Sequence, residues 1–292
     1  MSKVSDYTAV SDLTEDDILY LVRYVDGKAT SKKISAATLK SQLMKMGGIP
    51  ENVDVLKREI MAPYSYSGIS LNIDQLREWI KSEAWDQFAI GDYVDITLTT
   101  GEQVREEITD KNPYIKHGDT PIEVPHVSLV PRDCLITTYQ YNTSNTNSGG
   151  LAASLMPANM EKEFAKLPTD VRKHCLTVRR LENNKGGWAW ASRNMFLLTN
   201  EEILGHQGWA SLEGYSNGSP VQHALFRGKR HVMKGVGFEK SVSTRFWYWT
   251  ADPSSFSTTT FCCVNDRGES KTADIDGASS SGCVAPGIVL GA

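Results

Sequence analysis

The alternation of apolar and polar positions predicts a β-hairpin near the N-terminus. The apolar run Ile18–Val22 is typical of a strand, and Lys28–Ile34 predicts the returning strand. Between them, Asp26-Gly27 is typical of a tight hairpin turn, because glycine accepts the positive φ that such turns require. Ser35 then stands where a helix cap is expected, ahead of apolar residues at helical spacing. We therefore expect a small hairpin-and-helix arm over residues 1–46.

The segment 47–87 predicts short helices and is interpreted as a helical linker. Gly47-Gly48 breaks the preceding helix, and residues 53–60 and 73–80 each carry apolar side chains on one helical face. These two apolar faces present more surface than a short arm can bury by itself. They pack either against sister chains or on the C-terminal domain, and the sequence leaves both alternatives open.

From Phe88 onward the chain alternates as strands do. The segments 90–98 and 103–108 flank Thr100-Gly101 and predict a second hairpin. Further strands are expected at Val124–Val130 and Cys134–Thr138, and two helices within Pro157–Cys175. Residues 183–292 hold five of the seven tryptophans among many Gly, Ser and Asn residues, which favours long loops pinned by aromatic side chains. The expected fold class is α+β.

Charge and hydropathy narrow the function classes. The formal charge of −4 gives no electrostatic reason to bind nucleic acid or an anionic membrane. No run of 18 apolar residues occurs, so membrane insertion is not expected, and no secretory signal is recognised at the N-terminus.

Cysteine and histidine are the residue types of this chain that most often carry chemistry. The five cysteines have no CxxC spacing, which favours buried free thiols. The six histidines form no HExxH or HxH motif, and His126 in its strand pattern is expected to be a satisfied core imidazole. We expect no catalytic residue, no metal and no cofactor. Calcium at Asn265-Asp266 or at Asp274 with Asp276 stays an alternative, because loop carboxylates and amides are its usual ligands.

Residues 1–46 resemble the short N-terminal module of phage tail-fibre and tail-tip proteins. The resemblance rests on the order strand, Asp-Gly turn, strand and the segment KKISAATLKSQL. It implies that this module attaches the chain to other virion proteins.

Residues 88–292 are similar to an uncharacterised C-type-lectin-like domain family of unknown function, found in prophage and surface proteins of anaerobic bacteria. The ordered pieces that carry the similarity include IGDYVDITLTTGE, HGDTPIEVPHVSLVPRDCL, LPTDVRKHCLTVRR and FWYWTADPSS. Thr250 and Ala285 depart from the arginines common in the family, which puts in doubt any ion pair tying down the last strand.

Together the resemblances imply a structural virion protein, a tail or capsid fibre or tip subunit made in the host cytoplasm, with a lectin-like domain that binds a host-surface glycan or protein. A homotrimer is expected because fibres commonly join a symmetric shaft. The alternative is a free bacterial carbohydrate-binding adhesin. A third class, an oxidoreductase similar to the formylglycine-generating enzymes, would use Cys262 and Cys263, but adjacent strand residues point apart.

The ligand is expected at the polar loop that follows Trp247-Tyr248-Trp249. If the two tryptophans anchor one strand face, Tyr248 points the other way, and Phe256 is the only large apolar residue of the loop. The alternative is that Phe256 folds back onto the core. The expected contact residues are Tyr248, Asp252, Ser254, Ser255, Phe256, Thr258 and Asn265. A diversified receptor-binding site, as in phage variable proteins of this fold, stays an alternative for these loops.

Overall fold

The computed structural model describes residues 18–25, 28–35, 53–64, 68–206, 208, 210, 222–228, 230–236, 246–271 and 277–292. The chain divides into two compact units, Met1–Leu56 and Lys57–Ala292. The second unit thus starts before the boundary expected at Phe88. The reason is that helix 73–81 buries Leu76 and Ile80 in the main core, as the docking alternative proposed.

The first unit contains the expected hairpin. Strands β1 (Ile18–Val25) and β2 (Lys28–Ser35) pair antiparallel, with Val25 opposite Lys28. This register leaves two residues between the strands, as the Asp-Gly pair predicts. The helix expected over residues 36–46 lies outside the described residues.

The second unit contains ten of the described strands: β3 Tyr93–Thr97, β4 Gln103–Lys111, β5 His126–Pro131, β6 Val178–Asn183, β7 Trp188–Arg193, β8 Met195–Phe196, β9 Tyr248–Pro253, β10 Phe261–Val264, β11 Ser270–Lys271 and β12 Gly287–Gly291. It is built on a five-stranded antiparallel sheet in the order β3-β4-β5-β12-β8. The strand β12 therefore lies between β5 and β8, with Ile288 opposite Leu129. A three-stranded sheet β11-β10-β9 and a separate hairpin β6-β7 complete the described strands.

Five α-helices accompany the described strands: α1 Val53–Met61, α2 Ile73–Lys81, α3 Met156–Lys166, α4 Thr169–Arg172 and α5 Asn200–Leu204. Local sequence explains where they begin. Asn72 Oδ1 accepts from two backbone N–H groups at the start of α2, and Pro157 occupies the first turn of α3. Thr199 and Glu202 form a reciprocal capping box on α5, and Gly205, with φ 74°, caps the C-terminal end of this helix.

Hydrophobic side chains cover both faces of the central sheet. On β12, Ile288 and Leu290 face one cluster and Val289 faces the other. A strand covered on both sides is buried at every position, as β5 is. The chain is thus a mixed helix-and-strand protein with antiparallel sheets, in line with the expected α+β class.

Most strand and helix predictions in this unit are confirmed. The hairpin β3-β4, strand β5 and the helix pair α3-α4 lie where the sequence pattern placed them. The strand expected at Cys134–Thr138 is wrong, because this segment makes only an isolated bridge from Cys134 to Val236. Among the described helices, none has the length and apolarity needed to cross a membrane.

Candidate functional site

Three loops meet at one edge of the second unit, and backbone hydrogen bonds join them. We call residues 142–148, 254–260 and 277–282 the three-loop face. The Asn142 N–H donates to the Ala278 carbonyl at 2.8 Å, and the Ala278 N–H donates to the Thr259 carbonyl at 2.9 Å. The Asn147 N–H donates to the Thr258 carbonyl, also at 2.9 Å. These bonds hold the loops as one surface.

Asn147 fixes the conformation of the middle loop. Its side chain is 1% exposed, and its Nδ2 donates to the carbonyl oxygens of Ser257 and Thr260 at 2.8 Å and of Ser254 at 3.3 Å. A buried amide that satisfies several loop carbonyls replaces the partners that a sheet would supply. The sequence did not identify Asn147, because nothing local separates it from Asn142 and Asn145.

Two further side chains, one within the three-loop face and one outside it, help to hold its loops in place. Asn145 Oδ1 accepts from the backbone N–H of Ser279 at 3.1 Å and from its hydroxyl at 2.7 Å, which joins the first and third loops. Lys185, between β6 and β7, donates its Nζ to the carbonyls of Ser254 and Ser255. The ammonium group therefore binds the base of the middle loop.

The outer surface of the three-loop face is uncharged and rich in hydroxyl groups. Its sequences, NTSNTNS, SSFSTTT and GASSSG, contain no Asp, Glu, Lys or Arg. Phe256 is 77% exposed, the largest exposure among the large hydrophobic residues of the described chain. An exposed aromatic ring in a loop of hydroxyl-bearing residues that hydrogen bonds hold in place offers contact area at low entropic cost.

The structure separates the predicted contact residues into two groups. Ser255, Phe256 and Thr258 are exposed, and Asn265 is half-buried. The exposure of Phe256 argues against the alternative in which it folds back to cap the core.

Tyr248, Asp252 and Ser254 are buried, so the expectation that they are displayed is wrong. The alternation along β9 is as expected, since Trp249 faces one hydrophobic cluster and Tyr248 the other. Both faces are covered, however, and the Tyr248 hydroxyl donates to the Val232 carbonyl at 2.8 Å. Asp252 Oδ2 accepts from the Asn200 N–H at the start of α5, at 2.7 Å.

Asn265 organises a turn. Its Oδ1 accepts from the N–H groups of Arg267 at 2.9 Å and Glu269 at 3.0 Å, so the oxygen is already engaged. Among the described residues, no group of three or more His, Cys, Asp or Glu is placed to hold a metal ion. Asp274 and Asp276, the other residues of the calcium alternative, lie outside the described part of the chain.

A polar network is buried away from the three-loop face. Arg180 donates from Nη1 to Glu202 Oε1 at 2.5 Å and from Nη2 to Oε2 at 2.6 Å. Tyr114 donates its hydroxyl to Glu202 Oε1 at 2.8 Å, and His223 Nδ1 lies 3.0 Å from Thr109 Oγ1. Burial lowers the pKa of His223 below its ordinary value. Each charge is paired and enclosed, so we assign this network to stability.

Glu106 and Glu107 on β4 are both buried, but they differ in their hydrogen-bond partners. Glu107 accepts from Arg132 Nε at 2.6 Å, and its other oxygen lies 3.0 Å from His231 Nδ1. Glu106 Oε2 has no hydrogen-bond partner among the described residues. Burial raises the pKa of Glu106 to about 8, although the nearby Lys234 charge works against this rise.

His126 is a satisfied core imidazole, as predicted. Its Nδ1 lies 2.8 Å from the Val124 carbonyl, and its Nε2 accepts from the Tyr114 N–H at 3.2 Å. This pair of contacts requires the neutral ring with its proton on Nδ1. Burial lowers the pKa of His126 accordingly.

Comparison with known proteins identifies one family. A family model described as Domain of unknown function (DUF6273) matches residues 126–290, from the first residue of β5 to the last but one residue of β12. No curated protein and no solved structure matches the chain. Because the matched segment covers more than half of the 292 residues, the chain belongs to the DUF6273 family of domains of unknown function.

Proposed function

We propose that the chain is a structural and adhesive subunit of a phage-like particle, which binds a host-surface receptor through the three-loop face. The observation that carries the proposal is the exposed Phe256 ring in a loop of uncharged, hydroxyl-bearing residues. The buried Asn147 side chain fixes this loop by hydrogen bonds to its carbonyl groups. Such a surface is pre-organised, so a ligand does not have to order the loop when it binds.

The fold of the matched segment supports a C-type-lectin-like domain. Its first and last strands, β5 and β12, pair antiparallel from Leu129 opposite Ile288 to His126 opposite Gly291. Helix α3 follows the first strand, and the small β9-β10-β11 sheet carries the middle loop of the three-loop face. In a C-type-lectin-like fold the terminal strands pair in this way and the loops bind ligands.

The N-terminal hairpin supports attachment to a particle. It belongs to a compact unit of its own, with the strand–turn–strand order of the phage module. The proposed division of labour is therefore attachment by residues 1–46 and recognition by the matched domain.

The Phe256→Ala variant is expected to bind host cells at least about 10-fold more weakly than the natural chain. The ring is 77% exposed, so its removal deletes contact area without opening a cavity in the core. The measurement is binding of the fluorescently labelled full chain to cells of the bacterium that the particle infects, together with the thermal midpoint Tm.

Val124→Ala is the matched control, because Val124 is 49% exposed and lies outside the three-loop face. It should bind as the natural chain does. Equal binding by Phe256→Ala, or equal loss by both variants, would remove the three-loop face from the proposal. A large drop in Tm for Phe256→Ala would mean that the ring is structural.

Oligomerisation through the N-terminal arm gives a second expected result. The intact chain should scatter light as a trimer, at three times the 32.3 kDa chain mass. A shortened chain that begins at Val53, the first residue of α1, should be a monomer. If both chains have the same mass at micromolar concentration, the arm is not the trimerisation element.

Location separates the particle subunit from the free adhesin. Mass spectrometry of density-purified particles should find the full chain in a fixed ratio to tail or capsid proteins. Recovery of the chain from the bacterial envelope alone, with none in particles, would support the adhesin and exclude the virion role. The binding test of the Phe256→Ala variant would still decide whether the three-loop face binds the receptor.

A further inference from the structure

The three-loop face presents one exposed aromatic ring and no charged side chain. Phe256 is 77% exposed, and the sequences of the three loops contain no acidic or basic residue. Lys185 reaches the middle loop from the turn between β6 and β7, but its Nζ donates to the carbonyls of Ser254 and Ser255. This ammonium group is engaged within the protein, so the loops offer an anionic ligand no countercharge.

Hydroxyl groups close to the ring are available for hydrogen bonds. The Asn147 N–H donates to the Thr258 carbonyl at 2.9 Å, and this bond places the next residue, Ser148, beside Thr258. Thr258 itself follows Phe256 by two positions. Ser148 and Thr258 are both exposed, and neither hydroxyl bonds to another residue in the described part of the chain. A ligand that lies over Phe256 can therefore replace the water that these hydroxyls otherwise bind.

The composition of the three loops favours a sugar over a protein as the ligand. Stable protein interfaces bury about 800 Å² on each partner and draw most of their binding energy from Trp, Tyr and Arg, whereas Ser and Thr contribute little. The three loops hold one aromatic residue, Phe256, and no Arg. A sugar ring has the complementary chemistry, because an aromatic ring attracts its apolar C–H face while Ser and Thr hydroxyls donate to and accept from its hydroxyl groups.

We propose that the three-loop face binds a neutral glycan, with one sugar ring stacked on Phe256 and its hydroxyls hydrogen-bonded to Ser148 and Thr258. The inference rests on the proposed function, because it names the chemical class of the receptor for that same face. The loops lack the carboxylates that calcium sites use, so we expect binding to persist in EDTA. One ring and a few hydroxyls bind weakly, and a monosaccharide is expected to have a Kd on the order of 1 mM.

The first experiment removes either sugars or proteins from the cell surface. Cells of the bacterium that the particle infects are treated with sodium periodate, which cleaves the vicinal diols of glycans, or with proteinase K, and the labelled full chain is added. Periodate should lower binding at least about 10-fold, whereas proteinase K should leave it unchanged. The reverse result would identify a protein receptor and overturn the inference, while the proposed function would stand if Phe256→Ala still fails to bind.

Salt dependence separates a neutral glycan from an anionic one. On an array of neutral and acidic oligosaccharides, the full chain should be retained by neutral members. This binding should change less than about 2-fold between about 50 and 500 mM NaCl, and it should be the same with EDTA. Retention by acidic members alone, or a steep fall of binding with salt, would overturn the inference.

Three variants test the contacts themselves. Phe256→Trp keeps an aromatic face and should bind within about 3-fold of the natural chain, whereas Phe256→Leu keeps only apolar area and should bind at least about 10-fold more weakly. Thr258→Val removes one exposed hydroxyl and keeps the shape of the side chain, so binding should fall about 5-fold with an unchanged Tm. Equal binding by Phe256→Trp and Phe256→Leu would overturn the stacking. Equal binding by Phe256→Ala and the natural chain would instead remove the proposed function itself.

Discussion

Replacing Arg180 by methionine is expected to lower the free energy of unfolding by about 3–5 kcal/mol at pH 7. The change leaves Glu202, whose side chain is fully buried, without its bidentate partner. Methionine fills a similar volume, so the loss comes mainly from the uncompensated charge. Urea unfolding followed by tryptophan fluorescence measures the difference.

The neighbouring Arg179 supplies the matched control. It pairs with Asp119 at the protein surface, at 2.6 Å, so Arg179→Met should change Tm little. The double variant Arg180→Met, Glu202→Gln removes both buried charges and should recover most of the lost stability. If Arg179→Met and Arg180→Met are equally stable, the buried pair does not have the role assigned to it.

The buried pair of Arg180 and Glu202 makes the stability of the fold depend on pH. Burial alone would raise the pKa of Glu202, but the Arg180 charge and hydrogen bonds outweigh it and hold the pKa at about 2, below the ordinary 4.5. A depressed pKa stabilises the fold above pH 4.5, and this contribution is lost as the pH falls from 4.5 to 2. Arg180→Met should lose less stability over that window than the natural chain.

Local patterns predicted the elements whose partners are close in sequence. The hairpins β1-β2 and β3-β4 follow from period-two alternation and from Asp26-Gly27 and Thr100-Gly101, and the boundaries match within a few residues. Helix α2 follows from apolar positions at helical spacing. In each case one short segment holds all the information.

Long-range contacts decided what the pattern did not predict. The alternation predicted that Tyr248 and Trp249 point to opposite faces of β9. It did not predict that a second hydrophobic cluster covers the face of Tyr248 and buries this residue. The role of Asn147 could not be predicted from local sequence, because the carbonyls that it binds belong to residues more than 100 positions later in the chain. Phe256 was identified because a lone aromatic residue in a polar loop is visible in the sequence itself.

A Glu106→Gln variant is expected to be more stable than the natural chain at pH 9 and equal to it near pH 5. Burial raises the pKa of Glu106 to about 8 from the ordinary 4.5, against the Lys234 charge and with the help of Glu107. The folded protein therefore holds a proton that the unfolded chain releases between pH 4.5 and 8. Over this window the natural chain loses stability as the pH rises.

Glutamine resembles the protonated carboxyl group and does not ionise, so the variant lacks this loss. Its advantage at pH 9 should be on the order of 2–4 kcal/mol, measured by urea unfolding from pH 5 to 9. Glu107→Gln is the control of opposite sign, because it removes a carboxylate that binds Arg132 and His231 and should destabilise the fold at neutral pH. Parallel pH curves for the Glu106→Gln variant and the natural chain would show that Glu106 is already ionised in the folded protein.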